Sequence, residues 1–173
     1  MAISERRRLT FTAIAVILVG IITGMFLGNA TASGAPPTKT FNIVPYHWGF
    51  ALYDGDWNEI EQMEVERGTT VRLVAFPQSA LPSNIREQLW QRVADNAGSI
   101  ETAYADPVTA NHGVFIGQLN VDLRPKGNAS TLEDAIDSIE FATDAIGSFD
   151  ILCSVVCGVG HPSMRLDGAL VVK

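Results

Sequence analysis

Sulfur and imidazole are scarce in this chain. Only two cysteines, four methionines and three histidines occur in 173 residues. Two cysteines allow one intramolecular disulfide at most, so no network of bridges holds the fold. Cations are also few, at 12 Lys+Arg against 19 Asp+Glu. Arg6, Arg7 and Arg8 account for three of them. Setting these and Glu5 aside leaves 9 Lys+Arg and 18 Asp+Glu on residues 31–173, a net charge of −9. That balance argues against nucleic acid as a partner. It suits a solubilising surface, and it would also steer a basic protein. There is no internal repeat and no low-complexity tract.

Apolar residues are abundant, at 47 %, and the excess is local. The segment RRRLTFTAIAVILVGIITGMFLGNA contains an uncharged run from Leu9 to Ala30. At about 1.5 Å per residue, a helix of this length crosses a hydrocarbon core of roughly 30 Å. The arginines before it place the N-terminus in the cytoplasm and the rest of the chain outside. A cleaved signal peptide is the rival reading, supported by small residues in NATASGA. The run exceeds the usual signal core of about 7–15 residues, which favours a retained single-pass anchor over residues 1–30. Both readings put residues 31–173 on the outer face of the cell membrane. The length suits one ordinary domain plus this appendage.

Residues 31–40, TASGAPPTKT, have the composition of a linker. Short strand signals follow. FNIVPY and WGFALY are aromatic and β-branched, and Ile60–Glu66 alternates apolar and polar residues. A turn at Arg67-Gly68 leads into TVRLVAF. Residues 77–110 interrupt the pattern and contain one helix signal. Asn84 and Glu87 have capping-box spacing, and Ile85, Leu89 and Val93 fall on one face. This reads as an insertion, most simply one that buries its apolar face on the domain. Strand signals resume in HGVFIGQLNVDL, SIEFATD, GSFDILCSV and GALVVK. Seven or eight short strands separated by turns predict a mainly β sandwich over residues 41–173. Asn29 and Asn128 match the glycosylation pattern, a weak signal.

The scarce side chains are not scattered. CSVVCGVGHPSM holds both cysteines, Cys153 and Cys157, together with His161 and Met164. Gly158, Gly160 and Pro162 argue against a helix there, so the segment is an interstrand loop able to turn its side chains toward one point. Three explanations compete. A Cys153–Cys157 disulfide suits the outer compartment but leaves the histidine and methionine without a purpose. Zinc takes thiolate and imidazole, but a thioether is a poor ligand for it. Copper accepts all three donor types. A mononuclear blue-copper site uses one cysteine. Two thiolates can bridge two coppers, each completed by an imidazole, and that requires a second histidine. His112, opening the strand HGVFIGQ, is the candidate.

The spacing C-x3-C-x3-H-x2-M resembles the binuclear CuA motif of subunit II of haem-copper oxidases, which have a cupredoxin-like Greek-key sandwich. NHGVFIGQLNVDLRPKG is similar to that family's first-histidine segment, and IEQMEVERGTTVRLV to one of its strand-turn-strand segments. The single anchor resembles the short B-type form. The likeness covers residues 41–76 and 111–173 and leaves out 77–110.

The resemblance implies two copper ions. Cys153 and Cys157 would bridge them, His112 and His161 would bind one each, Met164 would be a weak ligand of one, and the Val155 carbonyl a weak ligand of the other. Glu is usual at the Val155 position, and its carboxylate helps hold magnesium, so no magnesium ligand is expected from this chain. Trp48 or Tyr46 would be where electrons enter and His161 where they leave. His47 is expected to be structural.

The implied activity is electron transfer within a cytochrome c oxidase-type oxidoreductase of the respiratory chain. Single electrons would come from cytochrome c or a small blue-copper protein and pass to haem in subunit I, where oxygen is reduced to water. Copper assembly factors would be further partners. A nitric oxide reductase with a CuA subunit is the alternative. An exported copper chaperone is a weaker one, since such proteins keep their histidine far from the CxxxC.

Overall fold

The computed structural model describes residues 35–46, 49–91, 112–157 and 164–173. The expected anchor, His47, Trp48, residues 92–111 of the insertion region and His161 lie outside the described residues. No helix among the described residues is long and apolar enough to cross a membrane.

Among the described residues, ten strands form two five-stranded sheets. They are β1 (Thr38–Tyr46), β2 (Gly49–Asp54), β3 (Glu59–Ile60), β4 (Met63–Val65), β5 (Thr70–Ala75), β6 (Val114–Ile116), β7 (Val121–Leu123), β8 (Asp137–Ala142), β9 (Gly147–Leu152) and β10 (Arg165–Val172). The first sheet has the order β3-β2-β1-β5-β8 and the second β4-β10-β9-β6-β7. The pairs β1/β5 and β4/β10 are parallel, and the other pairs are antiparallel. The protein is a mainly β sandwich, as its strand-and-turn pattern predicts.

The expected strand over Ile60–Glu66 is two strands. It breaks at Glu61-Gln62, so β3 stays on the first sheet and β4 joins the second. A chain that changes sheets at a corner serves both without crossing the core. The Gln62 side-chain amide holds the corner by donating to the Gly168 carbonyl at 2.6 Å. The turn before β5 is where the sequence places it. Gly68 sits at φ +84°, in the left-handed region that glycine enters without penalty.

Between the sheets lies an apolar core. Phe41, Ile43, Leu52, Val71 and Leu73 of the first sheet face Met63, Val114, Ile116, Val121, Ile151 and Leu170 of the second. A smaller cluster covers the outside of the first sheet: Val44, Ala51 and Tyr53 lie beneath Leu81, Ile85 and Leu89. Residues 83–91 are helical, and Ile85 and Leu89 are its buried positions, four apart on one face. Val93 lies outside the described residues. The helical run begins ahead of Asn84, which therefore does not cap it. The Arg86 amide bonds the Pro82 carbonyl at 3.0 Å. The Arg86 guanidinium reaches back to the Ser79 and Leu81 carbonyls.

The polar stretch before β8 holds one unexpected helical turn, Leu132–Ala135, capped by the Thr131 hydroxyl, which accepts from the Asp134 amide at 3.1 Å.

Candidate metal centre

Three neighbouring strands of the second sheet bring the scarce donors together. His112 lies two residues before β6, Cys153 directly follows β9, and Met164 directly precedes β10. β9 pairs with both neighbours at its last residue. Leu152 stands opposite Phe115 of β6 and opposite Arg165 of β10. Antiparallel pairing places the end of β9 beside the starts of β6 and β10. Residues distant in sequence therefore meet at one edge of the sheet. One further ladder bond, from the Cys153 amide to the Met164 carbonyl at 3.1 Å, carries the pairing into the cluster.

The ligand atoms of His112, Cys153 and Cys157 all lie within 4.8 Å of one another. The sulfurs of Cys153 and Cys157 are 3.5 Å apart, and both cysteines are free thiols. Cys157 donates to the Met164 sulfur at 3.3 Å, and Cys153 donates to the Val155 carbonyl at 3.2 Å. His112 and Met164 are buried, and the two cysteines are half-buried. Imidazole, two thiols, a thioether and a carbonyl thus converge on one small volume.

Burial pushes the Cys157 thiol up to about 12, with the neighbouring Cys153 adding to the shift through its hydrogen bond and its charge. Two thiolates this close and this poorly hydrated repel each other. A bound cation replaces the protons and removes that cost. The donor set fits a soft metal: thiolate and thioether suit copper, and a thioether is out of place around zinc.

Of the expected site residues, His112, Cys153, Val155, Cys157 and Met164 come together. His161, expected as a fifth side-chain donor and as the electron exit, lies outside the described residues, as does Trp48. Tyr46 ends β1 and packs, half-buried, against the outer cluster of Val44, Tyr53 and Leu89 rather than with the donors.

A cleft of about 350 Å³ opens beside the donors, lined by His112, Val155, Arg124, Pro125, Lys126 and Asn128. Two cations therefore stand next to the site of a chain whose net charge is −7. Sequence reasoning missed Gly113, Asp122 and Ser154, which surround the donors. A glycine directly after His112 was the only hint of them.

No family model matches the sequence, and no curated protein matches it. Solved structures do. A chain of a haem-copper terminal oxidase dimer is 14 % identical, covering 98 % of this chain and 99 % of its own, with a TM-score of 0.45. The periplasmic domain of subunit II of cytochrome oxidase (CoxB) from Bradyrhizobium japonicum is 14 % identical, covering 78 % and 83 %, with a TM-score of 0.48. A mixed disulfide of subunit II of cytochrome c oxidase with a thioredoxin-like protein is 12 % identical over 83 % of this chain and 87 % of the other, with a TM-score of 0.46.

Proposed function

We propose that this chain is the subunit through which electrons enter a haem-copper terminal oxidase, and that its donor cluster holds a binuclear CuA centre. The observation that carries the reading is the convergence of His112, Cys153, Cys157, Met164 and the Val155 carbonyl at one edge of the second sheet. Bound copper would supply one-electron redox chemistry there. The chain's own residues would do the rest. Cys153 and Cys157 would be the shared thiolates, and His112 and His161 the imidazoles. Met164 and the Val155 carbonyl would be weak donors that tune the potential. Half of the cluster is carried on strand ends of a packed sandwich, so the donors move little when charge arrives or leaves.

In this reading residues 1–30 anchor the chain once in the cell membrane, with the N-terminus in the cytoplasm and the sandwich on the outer face. The sandwich is of the cupredoxin-like Greek-key type. Electrons come singly from a cytochrome c or a small blue-copper protein and pass to haem in the membrane partner, subunit I, where oxygen is reduced.

The test is metal content and electron paramagnetic resonance of the full chain loaded with copper in detergent. Two coppers sharing one unpaired electron give a seven-line pattern. One copper with four lines, or a disulfide with no metal, overturns the reading. His112→Ala abolishes or distorts the binuclear signal.

A further inference from the structure

We propose that Ser154 is a positioning residue for the donor cluster, clamped by Asp122 across the bare face of Gly113. The proposal rests on the reading of the cluster as a copper site. Ser154 lies between two donors, Cys153 and Val155. Its hydroxyl donates to Asp122 Oδ1 at 2.7 Å, on β7, the strand beyond β6. Asp122 is itself held from its other oxygen by Arg124 Nη2 at 2.8 Å. The Arg124 backbone amide is anchored in turn by the Asp137 carboxylate at 2.7 Å. The cysteine loop is thereby tied to the β6–β7 hairpin, and the same hairpin leads out of His112.

Gly113 makes the tie possible. A Cβ at that position would stand 2.0 Å from Ser154 Oγ and 3.2 Å from both its Cβ and its backbone nitrogen. Any side chain at 113 would evict the hydroxyl from its bond to Asp122 and push the loop backbone outward. The imidazole of His112 and the thiol of Cys153 are each one residue from this contact. Its spacing therefore sets the distance between nitrogen and sulfur donors, and the direction of the Val155 carbonyl. Outer groups that orient ligands typically change metal affinity by about 10–100-fold when removed.

The experiment uses the full chain in detergent, with Ser154→Ala, Ser154→Thr, Asp122→Ala, Gly113→Ala and the double variant Gly113→Ala/Ser154→Gly. Two readouts are taken on copper-loaded protein: the hyperfine pattern, and the rate of copper loss to a chelator. A third is taken on the reduced, copper-free chain: the rate at which iodoacetamide alkylates the two thiols. Ser154→Ala and Asp122→Ala are expected to alter the hyperfine pattern and speed copper loss about tenfold. They also speed alkylation, while Ser154→Thr restores wild-type values in all three. Gly113→Ala is expected to do more damage, and removing the Ser154 side chain relieves part of it, a coupling that separate structural defects do not show. A wild-type hyperfine pattern and copper-loss rate in Ser154→Ala overturn the proposal, whatever the alkylation rate. If the wild-type chain takes up no copper, the functional reading fails and alkylation alone decides the clamp: equal rates in wild type and Ser154→Ala overturn it.

Discussion

The two sheets of the sandwich use burial in opposite ways. In the first, β1 and β2 are buried on both faces, by the other sheet on one side and by Leu81, Ile85 and Leu89 on the other. Their sequences read accordingly as near-continuous apolar runs. The second sheet buries one face, and its other face carries surface ion pairs such as Arg165–Asp150 and Lys173–Glu64. Its chemistry lies at the strand ends, where donors from β6, β9 and β10 converge. The first sheet is braced by extra packing, and the second gathers its donors at the strand ends. The contrast separates packing that braces the sandwich from the donor cluster gathered at the strand ends, where Met164 is part of the core and Cys153 and Cys157 pack against it.

Substitutions at the two regions separate these roles. The largest expected effect is Cys157→Ser, which abolishes binuclear copper uptake while leaving the copper-free melting temperature near wild type; metal analysis and thermal unfolding check it. Leu89→Ala is the converse. It opens a cavity beneath the 83–91 helix, costing about 2–4 kcal/mol of stability as such leucines do, with full copper binding; chemical denaturation measures it.

Smaller and sharper is Met164→Leu. The change is close to volume-conserving at a buried position, so stability moves by less than about 1.5 kcal/mol. The thioether is lost, and the copper spectrum and midpoint potential shift while copper content does not. A leucine variant with unaltered spectrum and potential would remove Met164 from the donor set.

A separate effect is on pH dependence. The Cys157 thiol titrates near 12 in the copper-free fold, against roughly 8.5 in an unfolded chain. Its folded value is the raised one. The stability it contributes is therefore whole below about pH 8.5 and lost as pH climbs through about 12. Unfolding of the copper-free chain between pH 7 and 11 should show this slope, and Cys157→Ser should flatten it.

Much of the site was legible because it is local. Cys153, Cys157, His161 and Met164 fall within twelve residues, and the donor types alone separate copper from zinc. The amphipathic helix face was legible for the same reason, since Ile85 and Leu89 are four apart. The split of Ile60–Glu66 into strands of different sheets was not. Two adjacent polar residues, Glu61 and Gln62, interrupt the alternation at the break, but nothing local says that the two halves pair with different sheets, and the Gln62–Gly168 contact that spans the corner joins residues far apart in the chain. Nor could spacing reveal that Ser154 meets Asp122, 32 positions away.

The sequence by itself determined the donor chemistry, the loop that carries most of it, and the apolar periodicities of strand and helix, because each depends on neighbours a few residues apart. Tertiary structure alone decided that β9 lies between β6 and β10. That placement brings His112 to the sulfurs and lets Gly113 receive Ser154, because strand order and register depend on packing between segments far apart in the chain.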